Sequence, residues 1–182
     1  ESNETAFVIP LEGETAEQAK LESIDFLKTH QVATKRIVIP QRERKIGRMY
    51  WDIEWIPSVR VLTVDRTPVT RNWIYDDKKY NNIDIHNKNF NVESLDSLGF
   101  SVGVNLSAYI EEQDTATYLY YYRGGDLEKV MDKNVREKVH TVLSQEFGSR
   151  TLQECKAAKN DIRKILDEQV AKHFKNYGIT IT

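Results

Sequence analysis

An α+β fold, with an antiparallel-rich sheet followed by packed helices and a final short strand, is what the order of patterns along this chain predicts. Three observations carry it. Short runs of β-branched and aromatic residues fill 36–75 and 97–110, punctuated by Pro40, Pro57 and Pro68. From Asp114 to Tyr177 apolar residues recur at helical spacing, with capping signals at the joints. Gly178 ends that region, and Ile179-Thr180-Ile181-Thr182 returns to a period of two.

Residues 1–14 read as a loose or strand-like lead. Thr15-Ala16-Glu17-Gln18 matches a capping box, and Ala19, Ser23, Phe26 and Leu27 continue it as an amphipathic helix ending near His30. Residues 1–32 are thus expected to form an N-terminal lead and helix ahead of a main domain spanning 33–182. Arg36–Ile39 is expected as a short strand bounded by Pro40. Tyr50–Ile56 is expected as a second, although Tyr50 and Trp51 are neighbours and must point to opposite faces. Val59–Val64 and Val69–Tyr75 follow. Residues 76–91 are polar and turn-prone, and read as a loop around a short strand. The clearest strand is Ser97–Ile110: Phe100, Val102, Val104, Leu106 and Ala108 fall on one face, and Ser101, Gly103, Asn105, Ser107 and Tyr109 on the other.

The helical part opens with Asp114 as N-cap of a short helix, 115–122, broken by Gly124-Gly125. Asp126 caps the next turns, and Asp132 restarts a helix whose apolar face is Val135, Val139, Val142, Leu143 and Phe147. Thr151-Leu152-Gln153-Glu154 is a second capping box. It opens one long helix that buries Leu152, Ala158, Ile162, Ile165, Leu166, Val170 and Phe174. Gly178 stands where a left-handed C-cap belongs.

A chain of 182 residues suits one domain, or one domain with a small addition. Its formal net charge is −2, with 30% charged residues, so the molecule as a whole attracts neither polyanions nor polycations. A single cysteine, Cys155, excludes an internal disulfide framework. No apolar stretch approaches the length of a spanning helix. Charge is nonetheless uneven: residues 1–30 are acidic, while Arg42-Glu43-Arg44-Lys45-Ile46-Gly47-Arg48 concentrates bases in a hairpin tip or loop. Arg42, Arg44, Lys45 and Arg48 are the candidates for contact with lipid headgroups or a partner. No second basic run accompanies them, which argues against nucleic acid.

Signals for chemistry are weak. His30, His86, His140 and His173 are not spaced as metal ligands, and Asp76, Asp77 and Asp84 lack the spacing of a calcium loop. No nucleophile elbow, phosphate loop or dinucleotide fingerprint occurs. Cys155 falls in a first helical turn, where the dipole lowers a thiol pKa, but reads as packing. The Arg123-Gly124-Gly125-Asp126 joint could hold an anion, but reads more simply as a flexible link. No cofactor, metal or catalytic residue is expected. Tyrosines instead crowd one segment: Tyr109, Tyr118, Tyr120, Tyr121 and Tyr122 cannot all face one core. Tyr118, Tyr121 and Tyr122 are candidates for core packing, for a subunit interface, or for contact with a membrane surface.

The ordered combination of Trp55–Asp65, Ser94–Ile110, Leu127–Phe147, Thr151-Leu152 and Tyr177–Ile181 resembles the SPFH or band 7 family of stomatins, prohibitins and flotillins, over roughly residues 33–182. Asn160 stands where that family commonly carries an arginine, and Arg163 lies one turn later, which adds Arg163 to the candidate interface. The resemblance implies a non-catalytic scaffold attached to a membrane by a segment outside these residues. It also implies a following coiled coil, self-assembly of many subunits, and client membrane proteins that are organised or restrained. The abrupt end at Thr182 fits a chain cut before that coiled coil. Regulation of a membrane protease, or a soluble protein-interaction role, are the alternatives.

Overall fold

The first strand, β1 (Glu4–Pro10), runs antiparallel to β5 (Val59–Asp65) from Glu4↔Asp65 to Pro10↔Val59. The structure is a computed structural model that describes residues 3–11, 23–32, 38–74, 89–123 and 125–182. On its other edge β1 pairs with the two-residue β2 (Gln31–Val32), which follows helix α1 (Ile24–Thr29). Ser23 caps α1 by accepting from the Phe26 backbone N–H, and its own backbone is extended. The helix expected to run through Ser23 therefore starts after it, and the Thr15 capping box lies outside the described residues. Of the strand expected at Arg36–Ile39, Val38 and Ile39 are not in a strand, and the rest lies outside the described residues.

The basic run expected at a hairpin tip is itself largely a strand, β3 (Gln41–Lys45), paired in register with β4 (Ile53–Pro57). Tyr50 and Trp51, expected at the start of a strand, sit in the turn between them. Two consecutive aromatics satisfy a strand propensity, but Asp52 is drawn into the turn and delays pairing until Ile53. Beyond β5, β6 (Val69–Trp73) pairs with β9 (Val104–Tyr109), and β9 pairs on its far side with β10 (Thr180–Ile181). The expected single strand at Ser97–Ile110 is two: β8 (Gly99–Val102) pairs with β7 (Phe90–Glu93), and Gly103 separates β8 from β9. Ser97 lies in the β7–β8 turn at φ 58°. The alternation survives the break, since Phe100, Val102, Val104, Leu106 and Ala108 all face inward or partly inward.

Helix α2 (Thr115–Tyr122) follows a 3₁₀ turn at Glu112–Asp114. Asp114 does not cap it with its side chain; the carboxylate pairs instead with Lys175, at 2.8 Å. Arg123, in the left-handed conformation, closes the helix. The next helix is continuous where a restart at Asp132 was expected: α3 (Leu127–Val130) passes through a π-helical turn, Met131–Val135, into α4 (Arg136–Gly148). Asp126 has the extended backbone of an N-cap but no side-chain cap bond; its carboxylate meets Lys129.

The Thr151 capping box forms as expected: Thr151 Oγ1 accepts from Glu154 N–H, and the Glu154 carboxylate accepts from Thr151 N–H at 2.8 Å. The long helix it opens is broken at Ala158 into α5 (Leu152–Ala157) and α6 (Lys159–Lys175). Gly178, at φ +79°, ends the helical region with Ile179 N–H donating to Phe174 C=O, the six-to-one bond of a Schellman-type ending. A single contiguous core joins the sheets to the helices, with Phe7, Trp73, Phe90, Tyr118, Val139, Val170, Phe174 and Ile179 among its fully buried members. Within it α4 packs against both β7 and α6.

Candidate interaction surfaces

The β3–β4 hairpin is exposed along nearly its whole length, a condition a two-stranded ribbon does not sustain on pairing alone. Its base is fastened to the sheet: the Ser58 N–H and hydroxyl both reach Pro40 C=O, and Leu11 N–H donates to Ser58 C=O. Its tip is held by Asp52, whose carboxylate accepts from Met49 N–H at 3.1 Å, while Ile46 N–H donates to Asp52 C=O. Gly47 leaves room for Asp52, because a Cβ there would overlap the Asp52 carboxylate and displace it. Of the four candidate bases, Arg42, Arg44 and Lys45 stand on β3 and Arg48 in the tip, so the structure brings them onto one hairpin. Arg44 makes an exposed ion pair with Glu54 at 3.4 Å. The basic residues were readable in the sequence. The apolar side chains that share the hairpin, Ile46, Met49, Tyr50, Trp51 and Trp55, were not singled out, yet all are exposed. The adjacency of Tyr50 and Trp51 was the available signal, since one of them had to face solvent.

The tyrosines divide. Tyr118 is buried, and its hydroxyl donates to Gly125 C=O. Burial pushes its phenol far above its ordinary pKa, so it stays a neutral donor. Tyr122 is half-buried, also with a raised pKa from desolvation, and Tyr121 is 47% exposed. Tyr121 and Tyr122 line an open cleft of ≈ 470 Å³ with Asn134, Glu137, His173 and Tyr177. Tyr121 meets Tyr177 edge to face at 4.9 Å, and His173 lies 5.3 Å from Tyr177. Burial, then the charge of Lys138, holds the His173 imidazole below its ordinary pKa and so neutral at pH 7. Of the three tyrosine candidates, Tyr118 therefore belongs to the core, while Tyr121 and Tyr122 line the open cleft.

Arg163 is not in that cleft. It stands near the start of α6, exposed, in a loose 3.8 Å ion pair with Asp167. There it lines a second, larger groove of ≈ 1060 Å³ between the β8–β9 strands and helices α5 and α6. Phe100, Val104, Leu152, Leu166 and Ile181 give that groove an apolar floor, and Lys156 and Lys159 join Arg163 in its lining. The C-terminal end of α6 carries the tyrosine cleft. At 1.5 Å per residue, Arg163 and Tyr177 are roughly 20 Å apart along the axis.

Ion pairs tie these elements together. Arg71 on β6 donates through Nε to Asp132 at 2.9 Å and through Nη2 to Glu128, clamping the π-helical turn to the sheet. Asp132, foremost, raises the Arg71 pKa further. Lys175 binds Glu111 at 3.0 Å and Asp114 at 2.8 Å, and Thr180 donates to the same Glu111 carboxylate. His30 donates through Nδ1 to Phe26 C=O and His140 through Nε2 to Asn91 C=O, both structural roles. Cys155 is buried, and desolvation pushes its thiol pKa up, opposite to the lowering expected from its first-turn position. Gly125 N–H is engaged by Tyr122 C=O, which removes a donor from the anion site weighed at that joint. Among the described residues no group of His, Cys, Asp and Glu is placed to hold a metal ion, and no helix is long and apolar enough to cross a membrane.

Compared with protein-family models, residues 56–182 match the SPFH domain / Band 7 family. The chain belongs to this family. Compared with individually curated proteins, it matches none. The matched span runs from the end of β4 to the last residue, so the Band 7 domain here includes both clefts and excludes most of the β3–β4 hairpin. SPFH domains are non-catalytic scaffolds, and proteins of the family typically oligomerise and interact with membrane proteins.

Proposed function

We propose that this Band 7 domain is a membrane-associated scaffold whose copies assemble side by side, head to tail, and in doing so organise or restrain membrane proteins. The observation that carries the reading is the pair of unlike surfaces on α6: the aromatic cleft around Tyr121 and Tyr177 at one end, and the apolar groove edged by Arg163 nearer the other. Contact between unlike surfaces is heterologous, and repeated it generates rings or filaments rather than a closed pair. Tyrosine packs while keeping a polar tip wet, and an arginine laid on aromatic faces gains a cation–π attraction, so each surface suits the other. Arg42, Arg44, Lys45 and Arg48 stand ready to meet anionic headgroups while neighbouring domains touch through α6.

Electron microscopy of the full-length protein on membranes tests this. Regular assemblies are expected for the natural sequence. They should disperse in Tyr121→Arg and in Arg163→Glu, with unfolding stability changed by no more than about 0.5 kcal/mol, as for other exposed sites. Monodisperse monomers of the natural sequence on intact membranes would overturn the reading.

A further inference from the structure

The β3–β4 hairpin combines three properties that a solvated loop does not need. Its tip is preorganised by Asp52 and Gly47, as described above. Its apolar side chains are large and exposed, with Tyr50 at 80% and Trp51 at 59%, packed edge to face on each other at 4.5 Å. Its cations sit immediately behind them: from Arg44 to Asp52 there are three bases and one acid, Asp52, whose carboxylate is engaged by the Met49 N–H. Among the described residues, neither Lys45 nor Arg48 has an ion-pair partner. On β4, Trp55 and Ile53 share a face two residues apart, which continues the apolar surface back from the tip. The strands carry that tip roughly 13 Å beyond the hairpin base, enough to span the 5–10 Å depth of the headgroup boundary.

We infer that the β3–β4 hairpin is a membrane wedge that inserts Met49, Tyr50 and Trp51 into the interface of an anionic bilayer while Lys45 and Arg48 bind lipid phosphates. This rests on the membrane-associated reading above and names the element that makes the contact. Tryptophan and tyrosine favour the bilayer interface, where an apolar ring is buried and its polar edge stays wet. Each nearby base adds attraction to an anionic leaflet. The local charge of the tip is therefore complementary to anionic lipid even though the whole chain is acidic, at −2.

The chain has three tryptophans, and Trp73 is fully buried against Phe90, so a change in emission on binding reports Trp51 and Trp55. Mixing the 182-residue chain with vesicles of phosphatidylcholine plus phosphatidylserine is expected to shift the emission to the blue, and brominated acyl chains should quench it. Tyr50→Ser combined with Trp51→Ser should weaken partitioning about tenfold or more, since both remove apolar area that the interface buries. Lys45→Glu with Arg48→Glu should erase the preference over pure phosphatidylcholine. No shift with either vesicle, partitioning unchanged in the Tyr50/Trp51 variant, or a shift that grows with protein concentration in the absence of lipid would overturn the wedge. The last outcome would assign the tip to contact between copies. Assembly on membranes together with tip variants that bind lipid as the natural chain does sinks the wedge alone. Lipid binding without any assembly sinks the scaffold reading alone.

Discussion

Gly178 shows how much one residue can fix. Its φ of +79° is unfavourable for any L side chain, and a Cβ there would stand 2.6 Å from Asp114 C=O and 2.8 Å from Tyr118 N. Gly178→Ala should lower stability by ~2 kcal/mol or more in denaturant unfolding. Gly99→Ala is the matched control: nothing lies within 4 Å of its Cβ position, and the change should be neutral or slightly stabilising. The Arg71–Asp132 pair makes a second residue-scale claim. Both side chains are largely buried, so Arg71→Met removes a charge-assisted hydrogen bond from a largely buried carboxylate, and should cost about 1–3 kcal/mol in the same measurement. Asp132→Asn in that background should recover part of the loss. Gly178 was legible because a glycine after a helical pattern has few other uses. Asp114 was not: an aspartate ahead of a helix looks the same whether it caps the helix or is drawn away by a lysine sixty-one residues later.

At the scale of elements, local signals held where local bonds decide. The Thr151 capping box formed because both of its reciprocal bonds close within four residues. The apolar stripe from Val135 to Phe147 is buried as its spacing requires. What failed was continuity. Neither the break at Ala158 nor the π-helical turn at Met131–Val135 has a glycine or proline to announce it, and the latter places Asp132 against Arg71 on another element. The last strand, β10, depends on such a distant clasp. The Lys175 ammonium, foremost, and then Gln113 and Thr180, hold the Glu111 carboxyl below its ordinary pKa of 4.5. A carboxylate depressed in the folded state stabilises fully above its unfolded pKa, and that contribution disappears as pH falls through the folded value. The clasp should therefore be intact at pH 6 to 8 and weaken below about 4.5. Hydrogen exchange should show the Thr182 amide, bonded to Ser107 C=O, losing protection on acidification before the α4 amides do. Lys175→Met should bring the same loss at neutral pH.

For the whole molecule, the order of strands, helices and terminal strand was legible, because composition and period change together along the chain. The pairing was not. The lead read as loose or strand-like, but nothing local says that β1 lies against β5, 49 to 61 positions away in sequence, or that it buries Phe7. The interaction surfaces were half legible. The bases of the hairpin stood out as a charge run, whereas the groove edged by Arg163 is assembled from β8, β9, α5 and α6, and exists only once they pack. The tyrosine cluster was visible as composition, but only burial separates Tyr118, which holds the core, from Tyr121, which faces outward. Self-assembly through these unlike surfaces is the central claim, and a mixing experiment tests it most directly. Tyr121→Arg disables the cleft and leaves the groove; Arg163→Glu does the reverse. Head-to-tail contact predicts that neither variant assembles alone in the full-length protein, and that an equimolar mixture forms pairs, one of each variant, and nothing larger, when weighed by sedimentation velocity. A mixture that stays monomeric, or an Arg163→Glu protein that assembles as the natural one does, would contradict it.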